Sequence, residues 1–105
     1  MTRDSGYALV LRAEVGRAPL WTLDGMNVAP HSLPLSDRLL VALHDWRDFF
    51  DDVGGAVSDA DVVEEFVGQG FKIAHALRRE LKGSTVWYAH PVTGEAERIV
   101  HRTAR

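Results

Sequence analysis

Residues 36–83 read SDRLLVALHDWRDFFDDVGGAVSDADVVEEFVGQGFKIAHALRRELKG and contain two helical patterns separated by a short break. In each half, apolar residues recur at steps of three or four, which is the spacing of one face of an α-helix. The first stripe consists of Leu39, Leu43, Trp46, Phe50 and Val53. The second stripe consists of Val63, Phe66, Gly70, Ile73, Leu77 and Leu81. Because the connection is short, the two stripes predict an antiparallel helical hairpin in which Gly70 allows close approach of the helices.

Signals at the ends of the stripes predict the helix bounds. Ser36 is positioned to cap a first helix over about residues 37–53, since a serine oxygen accepts hydrogen bonds from free backbone N–H groups. Ser58, with a carboxylate three residues later, resembles the start of a capping box for a second helix over about residues 59–82. Gly83 follows that helix in the usual C-cap order.

The segments on either side of the hairpin predict β-strands. Residues 7–15 alternate between apolar and polar, as a strand with one solvated face does. The Asp-Gly pair at 24–25 predicts a type I′ turn. Folding about this turn places Leu23 opposite Met26 and Trp21 opposite Val28. After the helices, residues 85–90 and 96–101 predict a second β-hairpin, with Gly94 in a left-handed bulge position.

Together these elements predict a single α+β domain over residues 1–105. We expect an antiparallel sheet, built from a three-stranded N-terminal meander and a C-terminal β-hairpin, packed against the two helices. The sequence leaves open whether the two β segments join in one sheet. A chain of 105 residues is long enough to form one core without crosslinks.

Composition excludes several classes of function. The chain has no cysteine, which rules out disulfides, thiolate catalysis and cysteine-ligated zinc. No apolar run approaches the length of a membrane span, and residues 1–6 do not begin a signal peptide, so we expect a cytoplasmic protein that does not bind membranes. No catalytic motif is present, and the glycines at 68–70 lie in a helical pattern rather than after a strand. We therefore expect no cofactor, and the sequence favours a protein that is not an enzyme.

The histidines and aspartates do not form a recognisable metal motif. An EF-hand loop starting at Asp48 would place Phe50 and Val53 where an oxygen ligand and a glycine are required. His44 lies four residues before Asp48 on one helix face, which is a suitable spacing for a metal pair or for a base with its orienting carboxylate. The remaining histidines have no matching spacing, so we predict a structural His-Asp pair and no metal site.

Charge is distributed unevenly along the chain. Residues 45–71 contain eight acidic groups against Arg47 alone, although the whole chain has a net charge of only -3. The helical hairpin brings most of these acidic groups to one end, here called the acidic tip: Asp48, Asp51, Asp52, Asp59, Asp61, Glu64 and Glu65. The leading hypothesis is a protein-interaction module, of the immunity or antitoxin-like inhibitor kind, that binds a basic protein through this tip. The alternative interpretation is a solvated helix face with ordinary helix-end charges.

Residues 72–105 are instead basic, with seven cationic groups against three acidic ones. The cationic residues are Lys72, Arg78, Arg79, Lys82, Arg98, Arg102 and Arg105. They support an alternative function in binding nucleic acid, with Trp21, Trp87 and Tyr88 available for stacking, although a pI near 5.9 disfavours high affinity. Two other possibilities are a small-ligand protein or enzyme, which would need a pocket, and a homodimer formed through an exposed strand edge.

The helical region also contains a sequence pattern, shared with other proteins, that begins with Leu-Pro-Leu-Ser at 33–36. It continues through Leu43, Trp46, Phe50, Asp51, Glu65, Phe66, Gly70, Ala74, Leu77, Glu80 and Leu81. This pattern resembles small actinobacterial proteins without an established activity. The resemblance implies the helical hairpin and implies no catalytic residues.

Overall fold

In the computed structural model, residues 7–52, 59–91 and 93–99 are described. They form a five-stranded sheet and two α-helices, with a short 3-10 turn at Pro30–Ser32 before the first helix. The strands are β1 Ala8–Leu11, β2 Leu20–Thr22, β3 Asn27–Val28, β4 Thr85–Ala89 and β5 Ala96–Ile99, and the helices are α1 Asp37–Asp52 and α2 Ala60–Glu80. The predicted α+β class is confirmed.

All five strands belong to one sheet with the order β3-β2-β1-β4-β5. The meander and the C-terminal hairpin are antiparallel, as predicted, but β1 and β4 pair in parallel, with Leu9 opposite Val86 and Leu11 opposite Tyr88. The prediction of a wholly antiparallel sheet is therefore wrong at this junction. A parallel pair needs a long crossover connection. Here the connection along the chain from β1 to β4 contains β2, β3 and both helices.

The register of the first hairpin differs from the prediction by one residue. Leu20 lies opposite Val28 and Trp21 lies opposite Asn27, whereas the sequence predicted Trp21 opposite Val28. The Asn27 side chain donates hydrogen bonds to backbone oxygens of Ala18 and Leu20, at 2.8 and 2.9 Å, which fix its position.

The turn explains this shift in register. Thr22 N donates to Met26 O at 2.8 Å, so the loop contains three residues, 23–25, and not two. Gly25 adopts φ 92°, but no non-glycine residue of the described chain has a positive φ, so Asp24 does not have the conformation that a type I′ turn requires. The Thr22 hydroxyl bonds to Asp24 and accepts from Met26 N, which stabilises the longer loop.

The ends of the first strand and of the last hairpin also differ from prediction. β1 ends at Leu11, and Val15, predicted to face the core, is 54% exposed because the chain turns at Gly16. Gly94 has φ 78°, which confirms its left-handed position. The second arm of that hairpin is described to residue 99, and the predicted end of its strand at His101 lies outside the described residues.

The helix starts are fixed by side-chain caps. Ser36 Oγ accepts a hydrogen bond from Leu39 N at 3.1 Å, which confirms the predicted cap of α1. The cap of α2 is Asp59, whose side chain accepts from Asp61 N and Val62 N. It is one residue later than the predicted Ser58, which lies outside the described part of the chain.

An aromatic cluster holds the helices together inside the core. The rings of Trp46 and Phe66 stack at a centroid distance of 4.5 Å, and Trp46 Nε1 donates to Phe66 O at 3.0 Å. Phe50 stacks on Phe66 from the next turn of α1. These contacts pair the C-terminal half of α1 with the first half of α2, which confirms that the helices are antiparallel.

Candidate functional site

The acidic tip lies at one end of the helical hairpin. Asp48, Asp51 and Asp52 belong to the last turns of α1, while the other four carboxylates belong to the cap and first turns of α2. The stacking of Phe50 on Phe66 connects these two segments directly. The structure therefore brings together, at one end of the hairpin, the residues that the sequence grouped.

Some tip carboxylates have local structural partners. Asp51 accepts a hydrogen bond from Gly16 N at 3.1 Å and lies 3.6 Å from Arg47 Nε, so it ties the β1–β2 connection to α1. His44 Nδ1 lies 3.3 Å from an Asp48 oxygen, which is the predicted His-Asp pair. Asp59 caps α2, and Glu65 accepts from the Gln69 amide at 3.3 Å.

Three carboxylates of the acidic tip have no such structural partner in the described part of the chain. Asp52, Asp61 and Glu64 are exposed, and their side chains have no hydrogen bond or ion pair with any described residue. Asp61 benefits from the positive end of the α2 dipole, whereas Asp52 lies at the negative end of α1, where a carboxylate is unfavourable. The tip thus presents these three unpaired carboxylates to solvent, next to the stacked rings of Phe50 and Phe66.

A small apolar pocket lies next to the tip. It has a volume of about 300 Å³ and is lined by Ala18, Pro19, Ala29, Pro30, His31, Leu40, His44 and Arg47. Two of its lining side chains, His44 and Arg47, are also the partners of Asp48 and Asp51. Sequence reasoning missed this pocket, because three separate segments form it and none carries a local signal.

The described residues provide few other chemical groups. Within them, no three or more histidine and acidic side chains are grouped to hold a metal ion. None of the helices described has both the length and the apolar character needed to cross a membrane.

The seven cationic residues of the segment 72–105 are only partly brought together. Arg78, Arg79, Lys82 and Arg98 line a cleft with Gly83, Ser84 and Thr85. Lys72 does not line this cleft but a neighbouring groove between α1 and α2, which shares Arg79 with the cleft. Arg102 and Arg105 lie outside the described residues.

The aromatic residues proposed for stacking on bases are mostly part of the core. Trp21 is 5% exposed, its Nε1 donates to Arg12 O, and the Arg12 guanidinium covers its ring at 4.2 Å. Tyr88 is 1% exposed, and Trp87 is half-buried. Trp21 and Tyr88 are therefore structural residues, and the suggestion that they stack on bases is wrong.

Comparison with known proteins extends this description. No curated protein matches the chain. A family model described as Serratia CdiI immunity protein-like matches residues 7–91. The match contains β1 to β4, both helices and every residue of the acidic tip. It fits a protein-interaction module of the immunity-like inhibitor kind. On this match, which covers most of its length, the chain belongs to the Serratia CdiI immunity protein-like family.

Proposed function

We propose that this protein is a cytoplasmic immunity protein that neutralises a toxin by binding a basic surface of that toxin with the acidic tip. The observation that carries the proposal is the set of exposed carboxylates without partners, Asp52, Asp61 and Glu64, on a tip whose other carboxylates are anchored. Surface charge without local partners is available to pair with a second protein.

Charge complementarity suits the task of an inhibitor. A concentrated field of one sign raises association rates and is weakened by salt. Residues 45–71 have only Arg47 to offset eight acidic groups, and Arg47 is already paired with Asp51. A toxin with a cationic binding surface would therefore be captured quickly.

The apolar pocket supports the same interface. Charged pairs at the edge of an interface contribute little affinity, and most of the binding energy comes from buried anchors near its centre. The pocket adjoins the tip through His44 and Arg47 and offers the apolar walls of Pro19 and Leu40 to a side chain of the toxin.

The test uses the double variant Asp52→Arg/Glu64→Arg, whose positions lack structural partners among the described residues. Asp51 is not suitable, because its reversal would also break the contacts with Gly16 and Arg47. The matched control is Glu95→Arg/Glu97→Arg, which makes the same change in charge at exposed positions of the C-terminal hairpin.

The toxin is recovered with the tagged protein from the source cells, and the binding kinetics of purified components are measured at several salt concentrations. We expect the tip variant to bind about tenfold more weakly, mainly through a slower association rate with less dependence on salt. It should also fail to protect cells that express the toxin. Equal affinity of the tip variant, the control and the unaltered protein would contradict the proposal.

A further inference from the structure

The basic cleft lies at the opposite end of α2 from the acidic tip. It has a volume of about 600 Å³ and is formed by the last residues of α2, the turn into β4, and β5. Its cationic groups are Arg78, Arg79, Lys82 and Arg98. Because these side chains come from two elements that are distant in sequence, only the fold gathers them around one space.

These four cations are not engaged in ion pairs within the described structure. None of them forms an ion pair with a described carboxylate. Glu80, the acidic residue beside Arg79 in the sequence, instead accepts both of its hydrogen bonds from Ser36. Glu80 acts on Arg79 only as a nearby charge, so the cleft keeps a net positive charge that favours an anion of more than one charge.

Ser84 provides a second, independent observation. It lines the cleft, is only 9% exposed, and its hydroxyl has no hydrogen-bond partner among the described residues. A buried hydroxyl without a partner is unusual, because it has lost its hydrogen bonds to water. Rotation of the Ser84 side chain toward the cleft would let an oxygen of a bound anion provide the missing acceptor, since the hydroxyl is buried in the present rotamer.

We propose that this cleft binds a small ligand carrying one or more phosphate groups. The planar guanidinium groups match two oxygens of a phosphate at once, and Lys82 adds a point charge. The volume of the cleft suits a ligand as large as a nucleotide. This site is distinct from the acidic tip and does not depend on the function proposed for the tip.

A small ligand fits better than a nucleic-acid strand, and the tip of the same molecule is too far away to occupy the cleft. No aromatic residue lines the cleft in the described structure, so bases have no surface on which to stack. A helix of 21 residues separates cleft and tip by about 30 Å, which is several Debye lengths at physiological salt, so the tip does not neutralise the cleft.

The experiment titrates the full chain with pyrophosphate and with ADP, using calorimetry for affinity and amide NMR shifts for location. We expect saturable binding that moves the amide signals of Ser84 and Arg98. Arg98→Gln should weaken binding about tenfold, and Ser84→Ala several-fold without loss of thermal stability, since the hydroxyl has no partner to lose. Lys72→Gln, a change of the same charge on α2 outside the cleft, should leave the affinity unchanged.

Other outcomes would overturn the proposal. The proposal would be wrong if binding did not saturate at millimolar concentrations of pyrophosphate or ADP. If Lys72→Gln and Arg98→Gln lowered the affinity equally, the protein would attract anions through its general positive charge and not through a specific binding site. Tighter binding of a short single-stranded RNA than of either phosphate ligand would assign the cleft to nucleic acid instead.

Discussion

At the scale of single residues, Glu80 connects the two helices. Its carboxylate accepts from Ser36 N at 2.7 Å and from Ser36 Oγ at 2.6 Å, while Ser36 Oγ accepts from Leu39 N. In an ordinary capping box the glutamate comes from the third position of the same helix. Here it comes from the end of α2, so one side chain both completes the cap of α1 and holds the two helix ends together.

This arrangement predicts a dependence of stability on pH. The hydrogen bonds from the Ser36 side chain and backbone lower the pKa of Glu80 below its ordinary value. Because the folded state prefers the ionised form, this contribution is present above the ordinary glutamate pKa of about 4.3 and is lost as the pH falls through the lower pKa of the folded state. Urea unfolding at neutral and acidic pH should show a smaller loss of stability on acidification in Glu80→Gln than in the unaltered protein. Equal losses would contradict the contribution of Glu80.

At the scale of elements, the position of α2 on the sheet depends on Gly70. A methyl group at this position would lie 2.5 Å from the Tyr88 hydroxyl oxygen and 2.6 Å from a ring carbon. Gly70 thus allows α2 to approach β4, whereas the sequence predicted that it would bring the two helices together. Burial raises the pKa of Tyr88, so its hydroxyl stays neutral in this contact.

Replacement of the two glycines of α2 should have opposite effects. Gly70→Ala should lower the free energy of unfolding by about 1–3 kcal/mol, because the rigid Tyr88 ring is buried and has little room to move. Gly68→Ala, with no atom within 4 Å of the added methyl group, should raise it by about 1 kcal/mol through helix propensity. Chemical denaturation of both variants measures these values. Stabilisation by Gly70→Ala would show that the contact with Tyr88 is not tight.

The elements also show which features could be predicted from the sequence. Both helices were predictable, because contacts at steps of three and four leave a local pattern in residues such as Leu43 and Trp46. The parallel pairing of Leu9 with Val86 could not be predicted, because the alternation of apolar and polar residues in a strand is the same whichever strand pairs with it.

The same distinction applies to the candidate sites. The acidic tip was predictable because its residues lie in one acidic segment, 45–71. The pocket beside it and the role of Ser84 depend on segments that meet only in the fold. The resemblance to actinobacterial proteins stays a prediction.

At the scale of the whole molecule, the sheet is organised around β1. This strand has a neighbour on each side, β2 and β4, while β3 and β5 form the two edges. Leu9 and Leu11 of β1 and Val86 of β4 are almost completely buried. The centre of the sheet therefore joins the N-terminal meander, the C-terminal hairpin and α2 in one core.

This organisation predicts an order of hydrogen exchange. The amides of β1 and β4 should exchange orders of magnitude more slowly than those of β3, a two-residue edge strand that opens without disrupting the core. Exchange measured by NMR, corrected for the intrinsic rate of each amide, checks this order. Equally fast exchange in β1 and β3 would contradict the single sheet.

The parallel pairing of β1 with β4 has a consequence for biosynthesis. While the chain is being translated, β1 can pair with β2 as soon as the meander is complete, but its other edge stays open until residues 85–89 have been made. Throughout that interval the nascent chain exposes a strand edge and the apolar side chains of Leu9 and Leu11, a combination that favours aggregation. The growing polypeptide therefore keeps this edge open until β4 leaves the ribosome, and a premature stop before that strand would leave the edge permanently open.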